Sequence, residues 1–234
     1  MKPYQKIPIH ECGEPLVAIP LDQFAVESPH PYQEKGANYG ERSPYYLRLG
    51  VLDALLSAQE RLQQLYPRWR IQIFDAYRPI AVQQFMVDYT FADLVQQRGL
   101  TVDELSARER ENVMAEIYQL WAIPSHDPAT PPPHSTGAAV DVTIVNENGQ
   151  PLDMGSAIDE LSPRSHPNYY TNATEEPERE YHLRRELLNK IMSYSGFCRH
   201  PVEWWHFCRG DQMWAWQNNL ATARYGRVEE LDEK

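Results

Sequence analysis

Apolar residues recur at helical spacing from Val51 to Tyr66, at Val51, Leu55, Ala58, Leu62 and Leu65, which predicts an amphipathic helix ended by Pro67. Next, Trp69, Ile71 and Ile73 alternate with Arg70, Gln72 and Phe74, the pattern of a half-buried strand running into Asp75-Ala-Tyr77-Arg78-Pro79. Pro79 suits the first turn of a second helix that reaches about Gln97 and is closed by Gly99. Thr101 and Glu104 read as a capping box opening a polar helix that extends to about Trp121. Residues 123–133 hold five prolines and read as loop. Alternation returns at Ala138–Val145, with Val140, Val142 and Ile144 on one face and Ala139, Asp141 and Thr143 on the other. After a turn at Asn146–Gly149 and a long polar loop, Leu183, Leu187, Ile191 and Met192 predict the buried side of another helix. The last expected element is a strand over Val202–Cys208.

Helices and strands are segregated, so the expected fold is α+β, a single domain over 1–234 with a central antiparallel sheet packed against helices. Residues 1–50, rich in Pro, Tyr and Gly, are expected as an irregular arm, 51–208 as the catalytic core and 209–234 as a tail. At 234 residues, one well-filled core is the default. The net charge of −11 argues against nucleic acid and anionic lipid as partners, since both need phosphate neutralised. No stretch is long enough to cross a bilayer, and the first twenty residues lack the apolar run of a secretory signal. Three cysteines, Cys12, Cys198 and Cys208, read as reduced thiols of a cytoplasmic protein. The oligomeric state is left open.

Three segments carry candidate chemistry. In His134-Ser-Thr-Gly137-Ala-Ala-Val-Asp141 a loop histidine precedes a strand carboxylate that points away from the core. Nitrogen and oxygen donors of this kind suit Zn2+, which takes three protein ligands and a water in catalytic sites. Their alternative is a loop histidine and a solvated carboxylate. In Glu203-Trp-Trp-His206 the histidine is a third ligand and Glu203 a proton acceptor for the attacking water. Residues three apart face opposite sides of a regular strand, so both reach one metal only if the strand is bulged or begins between them. The alternative is a Trp-rich strand with salt-bridged Glu and His at its edge. Arg78, at a strand end, is either an oxyanion-stabilising cation or one half of an ordinary Arg–Asp pair.

Taken in order, these segments resemble the D-alanyl-D-alanine dipeptidases. Asn38-Tyr39-Gly40, Asp153-Met-Gly-Ser-Ala-Ile-Asp159, Arg164-Ser-His166 and Ile191-Met followed by Gly196-Phe197 are similar to further stretches of that family, so the resemblance covers about Pro31 to Phe207. It implies hydrolysis of small free dipeptides by a zinc-activated water. It further implies His134, Asp141 and His206 as zinc ligands, Glu203 as base, Arg78 as the transition-state arginine, and Asp159 and Tyr39 as substrate-binding residues. Pro132 and Pro133 stand where the resistance enzyme of that family has serines, which affects substrate selectivity. The loop from Gln150 to Pro177 and the N-terminal arm are the expected roof of a small pocket. The rival functions are a D,D-carboxypeptidase or endopeptidase of the same architecture and a non-catalytic zinc-binding module.

Overall fold

The structure, a computed structural model, describes residues 2–228. Its strands are β1 (Leu16–Ala18), β2 (Ala25–Val26), β3 (Tyr46–Arg48), β4 (Arg70–Asp75), β5 (Ala139–Val145), β6 (Cys198–Arg199) and β7 (His206–Cys208). Its helices are α1 (Pro31–Glu34), α2 (Leu49–Leu65), α3 (Ile80–Gln97), α4 (Ala107–Leu120), α5 (Glu178–Tyr194) and α6 (Gln212–Gln217). The fold is α+β. Five strands form the central sheet in the order β2-β4-β5-β7-β6, and β1 pairs with β3 in a separate ribbon. The central sheet is antiparallel except at its edge, where β2 runs parallel to β4.

One sheet face is apolar. Ile71 and Ile73 of β4, Val140, Val142 and Ile144 of β5 and Phe207 of β7 pack with α2 and α5 in the main core. Helix α2 turns Val51, Leu55, Ala58 and Leu62 inward, as its periodicity predicts, and each large side chain so buried contributes about 1.5–3 kcal/mol. On α5 the buried residues are Arg185, Leu188, Ile191 and Met192, while Leu183 is 53% exposed, so the inward stripe lies one residue round from the expected one.

The opposite sheet face is covered too. A second cluster joins α3 and α4 to Tyr32, Tyr39 and Trp121, and a third joins Ala139 and Cys208 to Tyr4 and Met213. Consequently all seven residues of β5 are buried, and β4 is not the half-solvated strand that alternation implies. The alternating polar residues face a second protein layer rather than water.

Three further expectations change. The Thr101–Glu104 capping box closes a short 3-10 turn, and α4 starts later under its own box, Ser106 with Glu109. The expected strand Val202–Cys208 shortens to His206–Cys208. The first fifty residues are not an irregular arm: they supply the β2 edge and the β1–β3 ribbon. Their start is joined to the far end of the chain. Ala223 N donates to Pro8 O at 2.9 Å, His10 N to Ala223 O at 2.9 Å, and Gly226 N to Glu11 Oε2 at 2.7 Å. The expected tail thus carries α6 and this clasp, and residues 229–234 lie outside those described.

Candidate active site

Three candidate ligands meet on the sheet face opposite the main core. Asp141 lies in the middle of β5, and its register partner on β7 is His206, the first residue of that strand. His134 enters from a 3-10 turn, Pro133–Thr136, which ends at Gly137. Gly137 has φ 69°, the left-handed turn that favours glycine, and a Cβ there would also push aside the Leu16 side chain 2.5 Å away. His134 Nε2 lies 3.1 Å from His206 Nδ1 and 3.2 Å from Asp141 Oδ2, and His206 Nδ1 lies 3.0 Å from Asp141 Oδ1.

These separations test whether a metal fits. Donors bound tetrahedrally at about 2.0–2.1 Å stand roughly 3.3 Å apart, close to the spacing of this buried triad. The second nitrogen of His134 supports the fit: Nδ1 is 2.6 Å from Ala76 O, so it donates there and leaves the Nε2 lone pair facing the other two groups. His206 is held instead by its neighbours, edge-on to the rings of His134 and His200 at 4.9 and 5.4 Å. Burial alone would raise the Asp141 carboxyl, but His134 and His206 beside it hold it well below the carboxylate range. Two imidazoles and an ionised carboxylate sharing one point could hold a cation.

Glu203 joins the triad because the strand begins after it. Between Pro201 and Trp205 the backbone is irregular, so the opposite-face rule for residues three apart does not apply. Glu203 Oε2 is 3.8 Å from His206 Nδ1 and Oε1 is 3.3 Å from His200 Nδ1. The flanking tryptophans fix this segment: Trp205 O accepts from Val142 N at 3.0 Å, and Trp204 Nε1 donates to Ser156 Oγ at 2.9 Å. Burial pushes the Glu203 carboxyl well up, and the charges of Asp141 and Asp159 add to the effect.

Arg78 forms the Arg–Asp pair of its second reading, and its guanidinium also faces the triad. Nε donates to Asp75 Oδ2 at 2.8 Å and Nη1 to Gln83 Oε1 at 2.8 Å, while Nη2 reaches the Tyr32 hydroxyl at 3.1 Å and Asp141 Oδ2 at 3.4 Å. The guanidinium also lies over the rings of Tyr32 and Trp121. It is an Arg–Asp pair at a strand end, and the pair aims the cation at the triad.

Asp159 stands on the cavity wall. Its backbone has φ 63°, a conformation that side-chain-bearing residues seldom adopt, and the Tyr32 hydroxyl donates to its Oδ2 at 2.7 Å. Its carboxyl is pushed up to about 7, first by burial and then by the Asp141 charge. Tyr39 does not line this cavity. Its hydroxyl donates to Asp75 Oδ1 at 2.9 Å from within the α3–α4 cluster, so it steadies the carboxylate that holds Arg78. Tyr39→Phe should therefore lower stability by about 1.5–3 kcal/mol in denaturant unfolding, the range for a hydrogen bond to a charged group, with KM nearly unchanged. A large rise in KM at unchanged stability would return Tyr39 to the substrate.

The narrow cavity enclosed by these groups measures about 40 Å³. Its wall includes residues that the motifs do not reveal: Lys2 and Tyr4 from the N-terminal turn, Trp121 beyond α4, and His200. Behind the wall, Tyr32 bridges Arg78 and Asp159. His200 carries a readable signal, its position three residues before Glu203. Lys2 and Tyr4 carry none, because only tertiary packing brings the N-terminus here.

Comparison with known proteins shows the family. The D-ala-D-ala dipeptidase model of the peptidase M15 family matches residues 25–224. A D-alanyl-D-alanine dipeptidase of Synechocystis is 53% identical over 241 residues, covering 98% of each chain. One of Escherichia coli is 34% identical over 116 residues, 49% of this chain and 58% of its own. Among solved structures, a vancomycin-resistance D,D-pentapeptidase in complex with Zn(II) covers 93% of this chain and 96% of its own at 15% identity and a TM-score of 0.45. By the extent of the family match and of the Synechocystis relative, the chain belongs to the peptidase M15 family of D-ala-D-ala dipeptidases.

Proposed function

We propose that this protein is a zinc dipeptidase that hydrolyses D-alanyl-D-alanine and similar free D,D-dipeptides. One observation carries the reading: a three-donor cation site, a buried carboxyl and a clamped arginine all line one narrow cavity. His134, Asp141 and His206 would hold the zinc, which when bound acidifies a water and polarises the scissile carbonyl.

The chain's own groups do the rest. Glu203, held between His200 and His206, takes the proton of the attacking water. It then returns that proton to the leaving amine. Arg78 cannot swing away, being fixed by Asp75 and Gln83, so its charge is in place when the carbonyl oxygen becomes negative. Asp159 accepts the substrate ammonium, and the Tyr32 hydroxyl ties Asp159 to Arg78.

The roof supports a dipeptidase over a carboxypeptidase. The loop between Gln150 and Pro177 contributes Asp159, the N-terminal turn contributes Lys2 and Tyr4, and the space between them is small. Free D-Ala-D-Ala should be turned over readily, whereas a pentapeptide ending in the same pair should react at least about a hundredfold more slowly, since a misplaced scissile bond forfeits alignment. Comparable kcat/KM on the two would favour the carboxypeptidase. A panel of D,D-, L,D- and L,L-dipeptides, with zinc analysis alongside, tests the reading as a whole. No helix among the described residues is long and apolar enough to cross a membrane. The three unpaired thiols suit the reducing cytoplasm, our reading of where the protein acts.

A further inference from the structure

A free dipeptide is a zwitterion, and a site that selects it must recognise a carboxylate as well as an ammonium. Arg78 is committed elsewhere: its nitrogens already serve Asp75, Gln83, Tyr32 and Asp141. Pro132 and Pro133, which precede His134, offer no side-chain donor.

We propose that Lys2 is the residue that binds the substrate carboxylate. Lys2 lines the same cavity as the triad and Glu203, and no ion pair among the described residues occupies its ammonium. The segment that carries it is built into the wall. Lys2 N donates to Gln5 Oε1 at 2.8 Å, Tyr4 is buried against Met213, and Gln212 Nε2 of α6 donates to Ile7 O at 2.6 Å. A lysine on a loose terminus would lose much of its binding free energy to ordering, and this one is already partly ordered.

Geometry singles out Lys2. Among the described residues, the lysine and arginine side chains on the cavity wall are Lys2 and Arg78. Arg78 is committed to Asp75, Gln83, Tyr32 and Asp141, so Lys2 is the cation left for a substrate carboxylate.

This assignment rests on the dipeptidase reading, and the test separates the two. Wild type, Lys2→Gln and Lys2→Arg, each loaded with zinc, are assayed on D-Ala-D-Ala and on its C-terminal amide, with thermal melting and zinc content recorded. Lys2→Gln should lose about 10- to 100-fold in kcat/KM on the acid, the range for one charge-assisted hydrogen bond, chiefly through KM. Its loss on the amide should be at least about tenfold smaller, because the amide never had the ion pair. Lys2→Arg should keep most of the preference for the acid. Equal losses on acid and amide, with or without a fall in melting temperature, overturn the assignment and leave Lys2 a wall residue. An unchanged acid preference in Lys2→Gln overturns it as well. Wild type inactive on both substrates overturns the dipeptidase reading, and this assignment with it.

Discussion

Glu203→Gln should retain zinc and fold yet lose about 10² to 10⁴ in kcat on D-Ala-D-Ala, the range for removing a positioned proton acceptor. The amide keeps the shape and can still meet His200, 3.3 Å away, so the cavity wall stays in place. What it cannot do is accept a proton, either from water or on the way to the leaving amine, and the double role argues for the upper part of the range. Glu203→Asp should also be poor, because shortening the side chain draws the carboxylate back from the water it must reach. Turnover, zinc content and melting temperature, measured together, distinguish the outcomes. A Glu203→Gln protein with near wild-type turnover would remove Glu203 from the mechanism. One that lost its zinc would make Glu203 part of the metal site.

Replacing a ligand should have a still larger effect. In wild type, one zinc per chain is expected, since three protein donors leave a position for water. His134→Ala or His206→Ala should bring zinc well below that stoichiometry and hydrolysis to background. The loss should exceed the 10–100-fold that follows from disturbing a ligand's outer partner, because a donor itself is gone. The two variants should differ in one respect. His134 also donates to Ala76 O and faces Asp75 Oδ2 at 3.7 Å, so its removal disturbs the Arg78 clamp as well. Zinc analysis after dialysis and dipeptide turnover check both. Full metal occupancy in either variant would overturn the ligand assignment.

Much of this site is legible in the sequence because its donors sit in short segments whose order is distinctive. The His134–Asp141 segment predicts a loop followed by a strand, and the structure has the 3-10 turn and β5. The extents of α2 and α3 follow from a periodic stripe bounded by Pro67 and Gly99. What escapes is whatever depends on a second layer. Alternation in β4 and β5 cannot say whether the polar face meets water or protein, and here it meets the α3–α4 layer and the chain ends. Tyr39 belongs to a motif near the site, and motif order reports that nearness but not which atom it touches; it touches Asp75. The early end of the Val202–Cys208 strand is equally hidden, because Trp204 and Trp205 favour extended structure while the ties to Ser165 and Val142 break its regularity.

The clasp between residues 8–11 and 223–226 has a consequence for how the protein comes into being. Segments more than two hundred positions apart must meet before the wall that holds Lys2 and Tyr4 is in place. Contacts of such sequence separation form late and slowly, since chain-closure entropy is lost before they return any stabilisation. On the ribosome, β5 and His134 emerge long before β7 brings His206, and the N-terminal turn waits for α6. A chain that has not yet reached β7 therefore holds two of the three grouped side chains and an unroofed cavity, and the wall is complete only once residues 206–226 have joined it.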